Sequence, residues 1–160
     1  MRNVVEAISV TMFYAGGDKK TPLPVSDITP TFRNFHFSGI TVSGARRVAT
    51  IEGLPERPVE GVTISDLTAD GAQTGIACLN ARGLLLEKLA INAIKNQPVV
   101  TMENVTDAAV ASCTAKEGTG TFLELRGPAN KEITLTANRL SRAAKPVGFA
   151  DGATEQAIVK

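Results

Sequence analysis

Residues 62–69, Val62-Thr63-Ile64-Ser65-Asp66-Leu67-Thr68-Ala69, alternate apolar and polar side chains with one extra polar residue in the middle. The same pattern returns along the chain, and its copies begin at residues 5, 35, 62, 84, 108 and 133. Consecutive copies start 22 to 30 residues apart. An alternation of period two predicts β-strands, and a repeat of this length is typical of a solenoid.

A second strand follows each of the middle copies at a constant phase. Residues 49–53, 76–80, 100–104 and 123–127 align at offsets of 27, 24 and 23 residues, with glycine or asparagine at the last position. Two strands per repeat and 14 glycines favour β-coils over helical repeats. The sequence therefore predicts an all-β fold, a parallel β-helix of about six coils in which residues 1–160 form one domain.

Two segments fall outside the repeat. Residues 15–30 are rich in glycine, proline and aspartate, which predicts an irregular loop inserted on one side of the solenoid. Residues 141–160 do not follow the alternation, and we expect them to cap the C-terminal end. Met1 leads directly into a strand, so we expect the strand edges of this end to pair with a second copy of the chain, or with coils of a longer parent protein.

The composition narrows the classes of function. Lys and Arg total 17 and Asp and Glu total 16, a balance that disfavours nucleic-acid binding. The chain has no apolar run long enough to cross a membrane and no signal-peptide pattern at its start. One histidine and two cysteines argue against a metal site, a cofactor or a disulfide framework. Aromatic residues make up 4%, which disfavours binding by stacking on aromatic platforms.

Two motifs give the chain a family resemblance. Pro30-Thr31-Phe32-Arg33-Asn34 at a strand start and Gly53-Leu54-Pro55-Glu56-Arg57-Pro58 at a turn resemble the C-terminal coils of glycoside hydrolase family 28, the polygalacturonase-like enzymes. Tyr14-Ala15-Gly16-Gly17 resembles the turn ahead of this region, and the similarity spans roughly residues 1–105.

The resemblance implies a right-handed parallel β-helix from a secreted or periplasmic, pectin-degrading family. The family's catalytic motifs, Asn-Thr-Asp, Asp-Asp, Gly-His-Gly and Arg-x-Lys, are absent from this sequence. We therefore expect a carbohydrate-active β-helix whose partner is a polysaccharide or oligosaccharide, with acidic sugars among the candidates. If the chain is an enzyme, it hydrolyses glycosidic bonds. The alternative is a non-catalytic carbohydrate-binding or oligomerising structural module.

The residues themselves offer one candidate pair of catalytic carboxyls. The outward positions of the second strand form a column of Glu52, Leu79, Glu103 and Arg126. Glu52 and Glu103 would lie two coils, roughly 9–10 Å, apart. Inverting glycosidases hold their acid and base about 6.5–9.5 Å apart, and Arg126 would keep Glu103 ionised. A solvated strand face with an ordinary ion pair is the alternative.

Two charged turns are candidates for substrate binding, together with Arg126. Arg46 and Arg47 form a dibasic turn, with Lys19-Lys20 in the adjacent loop, and guanidinium groups bind carboxylates in a bidentate manner. Glu56 and Arg57 follow Glu52 in a turn and add two potential sugar contacts. Ordinary turn residues that only face solvent are the alternative at both places.

Five other side chains receive structural interpretations. His36 lies between Phe35 and Phe37 and should face outward. Cys78 and Cys113 fall on inward positions and should be small buried hydrophobes. Asn80 and Asn104 share a position at a coil turn, where stacked amides would bond along the solenoid axis.

Overall fold

The computed structural model describes residues 1–13, 21–94 and 97–159. Its regular elements are β1 Glu6–Thr11, β2 Arg33–Ser43, β3 Arg47–Glu52, β4 Val59–Ala72, β5 Thr74–Ala93, β6 Val100–Ala111, β7 Thr121–Arg126, β8 Lys131–Thr136, β9 Lys145–Ala150, a single 3-10 turn Glu155–Ala157 and β10 Ile158–Val159. Across these described residues, no helix has the length and hydropathy needed to cross a bilayer.

The strands of the described residues pair in parallel. In one stack, which we call the front face, β1, β3, the first halves of β5 and β6, β7 and β9 follow one another. In the other, the back face, β2, β4, the second halves of β5 and β6, β8 and β10 do so. The architecture is a parallel β-solenoid of about five turns, which confirms the predicted fold class.

The register confirms the repeat except at its first copy. On the back face the predicted copies stack in successive coils, with their first residues as Cα partners in the order Phe35, Val62, Leu84, Ala108 and Ile133. The copy assigned to residue 5 was wrong, because β1 pairs with β3 on the front face, with Ile8 opposite Ala49. Strands of both faces alternate with period two, so the alternation does not distinguish them. The total of about five turns is nevertheless close to the predicted six coils.

The hydrophobic core lies between the two faces and consists of inward columns that run along the solenoid. Two of these columns are, in order, Ile51, Cys78, Met102 and Leu125 on the front face and Ile64, Leu86 and Val110 on the back face. Side chains in both columns are at most 2% exposed. Each coil therefore buries the apolar side chains of the coils above and below it.

Both cysteines are buried and free, as predicted. Desolvation raises the pKa of the Cys78 thiol to about 12. Burial also raises the pKa of Cys113, although a backbone hydrogen bond from the Leu89 amide acts in the opposite direction. These thiols are packing groups in the dry interior rather than reactive ones.

Single residues with positive φ turn the chain at one corner between the faces. Asn80 (φ 50°), Asn104 (φ 54°) and Gly127 (φ 75°) occupy the same corner in consecutive coils. The Asn104 side-chain amide donates to Asn80 Oδ1 at 3.1 Å, and the Asn80 amide donates to the Gly53 carbonyl at 3.0 Å. The predicted stacking of the two asparagines is confirmed. Asparagine suits the corner because it tolerates left-handed backbone and bonds locally.

The two irregular segments differ in structure. Residues 21–30 of the predicted loop contain no strand and are largely exposed, whereas residues 15–20 lie outside the described residues. Beyond residue 141, β9 continues the front face by pairing with β7, and β10 pairs with β8 on the back face. The C-terminal segment thus adds a further layer of strands, which the repeat pattern did not predict.

Candidate functional site

Two adjoining cavities lie on the outer side of the front face. The first, of about 390 Å³, is lined mainly by Glu6, Arg46, Arg47, Thr74 and Gln97. The second, of about 280 Å³, is lined mainly by Arg47, Thr74, Gln97, Pro98, Thr101 and Arg126. Because three residues line both cavities, they form one continuous depression from β3 to β7, which we call the front groove.

A glycine lets one wall of the front groove come close to the sheet. Gly75, at the start of β5, would place a Cβ atom 1.9 Å from the Val99 carbonyl oxygen. That carbonyl accepts a hydrogen bond of 2.8 Å from the Ile76 amide, which fixes the segment containing Gln97 and Pro98 beside β5. Any larger residue at position 75 would push this wall away.

The dibasic turn forms one end of the groove. Arg46 and Arg47 line the same cavity, and both side chains are exposed. Arg47 Nη1 donates to Thr50 Oγ1 at 3.1 Å and lies 3.8 Å from Glu6 Oε1. The Thr50 hydroxyl in turn donates to the same Glu6 oxygen. Glu6 therefore partly neutralises the positive charge of Arg47.

Arg126 forms the other end of the groove, and its ion pair differs from the expected one. Its Nε and Nη2 atoms both contact Glu124 Oε1, at 2.6 and 2.5 Å. We expected Arg126 to pair with Glu103, its neighbour in the next coil. Glu124 takes the guanidinium instead because it lies two residues earlier on the same strand and points to the same side of the sheet.

The candidate carboxyl pair lies on the front face beside the groove, and neither glutamate is among the residues that line the two cavities. The register places Glu52 opposite Leu79 and Leu79 opposite Glu103, so the two glutamates are two coils apart, as predicted. Strands about 4.8 Å apart put their Cα atoms about 9.6 Å apart. Thr11 Oγ1 donates to Glu52 Oε2 at 3.1 Å.

Glu56 and Arg57, predicted to bind substrate, make hydrogen bonds to the loop at residues 21–31. Glu56 Oε2 accepts from the Leu23 amide at 3.3 Å. Arg57 Nη1 donates to the Thr29 carbonyl at 3.1 Å and to Thr31 Oγ1 at 2.8 Å. In this structure both side chains attach the loop to the solenoid, and their role in binding stays a prediction.

Other predicted positions lie away from the groove. His36 is exposed on the back face, where Thr63 is its Cα partner, so its outward orientation is confirmed. Lys19 and Lys20 lie outside the described residues. Within residues 1–13, 21–94 and 97–159, no three His, Cys, Asp or Glu side chains are arranged to hold a metal ion.

Sequence reasoning did not single out several polar residues in or beside the groove, among them Glu6, Thr74, Gln97, Thr101 and Glu124. Thr101 and Glu124 are Cα partners on the same outward side as the chosen column, two residues before it. The alternation predicted that they face outward but gave no reason to prefer them. Gln97 follows β5 in a connection with no repeat pattern, so no sequence signal could have identified it.

Comparison of the chain with known proteins found no matching family model, no matching curated protein and no matching solved structure.

Proposed function

We propose that this chain is a carbohydrate-binding β-solenoid that holds a polysaccharide along the front groove. The observation that carries the proposal is the groove itself, which crosses several coils and is lined by guanidinium, hydroxyl and amide groups. Such groups donate and accept the hydrogen bonds that sugar hydroxyls require. The resemblance of Pro30–Asn34 and Gly53–Pro58 to the C-terminal coils of glycoside hydrolase family 28 also supports a carbohydrate ligand.

Affinity electrophoresis in gels that contain a polysaccharide tests this proposal. The panel is polygalacturonate, methyl-esterified pectin, rhamnogalacturonan and galactan. We expect at least one polymer to retard the wild-type chain, and we expect Arg47→Ala and Gln97→Ala to weaken that retardation about tenfold. This is the usual loss when a charged or polar ligand contact worth about 1.4 kcal/mol is removed.

Arg82→Ala is the matched control. Arg82 is exposed on the back face, opposite Glu60, and therefore lies far from the front groove. Its removal changes the net charge by the same amount as Arg47→Ala. Equal loss of binding in both arginine variants would contradict a role for the groove, and no retardation by any polymer would contradict carbohydrate binding.

Hydrolysis is a second candidate function, favoured by the register of the front face. Glu52 and Glu103 share an outward column two coils apart, a separation close to that of inverting glycosidases. In such a reaction one carboxyl protonates the leaving oxygen while the other activates a water on the opposite side of the sugar.

Release of reducing ends from the same polymers separates binding from hydrolysis. Glu52→Gln and Glu103→Gln keep the shape of each side chain and remove its charge. If the pair is catalytic, each variant abolishes release while binding persists. Release that is unchanged in both variants would place the chemistry elsewhere, and no release from wild type would leave binding alone.

A further inference from the structure

The charges of the front groove are largely compensated within the fold. At one end, two nitrogen atoms of Arg126 contact a single oxygen of Glu124, at 2.5 and 2.6 Å. The next coil places Glu103 directly opposite Arg126 in the ladder. Glu124 therefore neutralises the guanidinium, and Glu103 is a second acidic residue that neighbours Arg126 on the same face.

At the other end the arginines outnumber the carboxylates. Arg46 and Arg47 contribute two positive charges, and Glu6 lies 3.8 Å from Arg47. Glu6 also accepts a hydrogen bond from Thr50, which holds the carboxylate in place beneath the arginine. When Glu103 and Glu124 beside Arg126 are counted, three glutamates balance the three arginines of the groove, so it offers no excess positive charge to a polyanion.

Between these ends the lining is uncharged. Thr74, Gln97 and Thr101 supply hydroxyl and amide groups, and Pro98 supplies an apolar surface. An acidic sugar that approached Arg126 would have to displace Glu124 or sit beside it and Glu103, and close like charges disfavour binding. A hydroxyl group faces no such penalty, since it donates to a carboxylate and accepts from a guanidinium.

We infer that the front groove selects an uncharged, hydroxyl-rich glycan and discriminates against polyuronates, with Glu124 and Glu6 as the residues that set this preference. The inference rests on the proposed carbohydrate-binding function and narrows the class of ligand. Glu124 pairs with Arg126 and Glu6 pairs with Arg47, so these guanidinium groups are not free to bind a carboxylate of the ligand.

Two polymers that share a backbone and differ in charge provide the test: polygalacturonate and its fully methyl-esterified form. Isothermal titration is done at low and high salt with wild type, Glu124→Gln and the double variant Glu6→Gln/Glu124→Gln. We expect wild type to prefer the esterified polymer with little salt dependence. Loss of the glutamates should raise affinity for polygalacturonate about three- to tenfold, and this gain should fall at high salt.

Glu60→Gln is the control, because Glu60 is exposed on the back face and its loss changes the net charge equally. Wild type that prefers polygalacturonate, or a preference that Glu124→Gln leaves unchanged, overturns the inference while carbohydrate binding stands. A gain of equal size in Glu60→Gln also overturns it, because the effect would then be one of net charge. Binding of neither polymer by folded wild type overturns the inference, whereas the proposed function is contradicted only if no polymer of the electrophoresis panel binds.

Discussion

The middle coils and the two ends of the solenoid use the same sequence pattern but bury their side chains to different extents. In one inward column of the back face, Ile64, Leu86 and Val110 are fully buried. Phe37 and Leu135 extend the same column at its two ends and are only half-buried. Along this column of the back face, burial therefore depends on having a coil on both sides, and not only on the alternation within one strand.

The ends also differ from the middle in their backbone hydrogen bonds. In the described residues β4, β5 and β6 pair on both sides, whereas β1 and β2 each pair on one side only. A strand edge without a partner exposes amide and carbonyl groups to water or to another chain. Stability should accordingly be concentrated in the middle coils, and the following substitutions test that difference.

The largest effect is expected from truncating a leucine in the middle. Leu86→Ala removes a fully buried side chain and should lower the free energy of unfolding by about 2–5 kcal/mol. Leu135→Ala makes the same change at the half-buried end of the column and should cost about half as much, since less apolar area is lost. Urea unfolding followed by circular dichroism measures both. Equal losses would contradict the dependence of burial on stacking from both sides.

A smaller effect is expected at the corners. Asn80→Ala loses the amide ladder and places alanine in left-handed backbone, which together should cost about 2 kcal/mol. Asn34 has φ of 62° at the N-terminal end and makes no side-chain hydrogen bond within the described residues, so Asn34→Ala should cost about 1 kcal/mol.

Asn80→Gly separates the contribution of the amide hydrogen bonds from that of the backbone conformation. Glycine adopts positive φ without strain but cannot continue the amide ladder. In the same unfolding experiment, Asn80→Gly should lose only about half as much free energy of unfolding as Asn80→Ala. If Asn80→Gly is as stable as wild type, the amide ladder contributes nothing and only the backbone conformation matters.

Burial of the Cys78 thiol in the middle coils predicts that the stability of the fold depends on pH. An unfolded Cys78 thiol ionises near 9.0, whereas burial raises its pKa in the folded chain to about 12. The unfolded state therefore releases this proton first, so stability is unaffected below pH 9 and falls between pH 9 and 12. The loss should be at most about 1.4 kcal/mol per pH unit. Cys78→Ala should flatten this slope relative to wild type, and an identical slope in both proteins would show that water reaches the thiol.

The smallest effect concerns the strand edges. The expectation that the ends pair with a second copy stays a prediction, and the short edge strands β1 and β10 favour weak association. Sedimentation velocity over a range of concentrations should show a concentration-dependent rise in mass. A single monomeric species at every concentration would contradict end-to-end pairing.

Much of the fold could be predicted because inward and outward alternation is a property of each strand alone. The columns through Leu84 on the back face and Cys78 on the front face have the predicted register. The first strand was assigned to the wrong face, since strands of both faces have the same period and residues 15–30, which lack the repeat pattern, separate β1 from the rest of the repeat. The end strand β9 was not predicted, because residues 141–160 do not follow the alternation.

The candidate site was less predictable. Alternation placed Glu52, Glu103 and Arg126 in one outward column, and the structure has them there. It did not predict that Arg126 would pair with Glu124, nor that Glu56 and Arg57 would bond to the loop. Partners of long charged side chains depend on rotamers and on neighbours from other coils, which a strand pattern does not contain.

The sequence by itself determined that this chain is a parallel β-solenoid, which residues point into its core and where asparagine turns the corner. These features follow from local chemistry that is repeated in every coil, so the sequence of each coil predicts them again. Only the tertiary structure decided where the front groove lies, because residues from separate coils and from the connection containing Gln97 meet there. It also decided how the charges of the groove are compensated, since that depends on distances between side chains that the repeat does not specify.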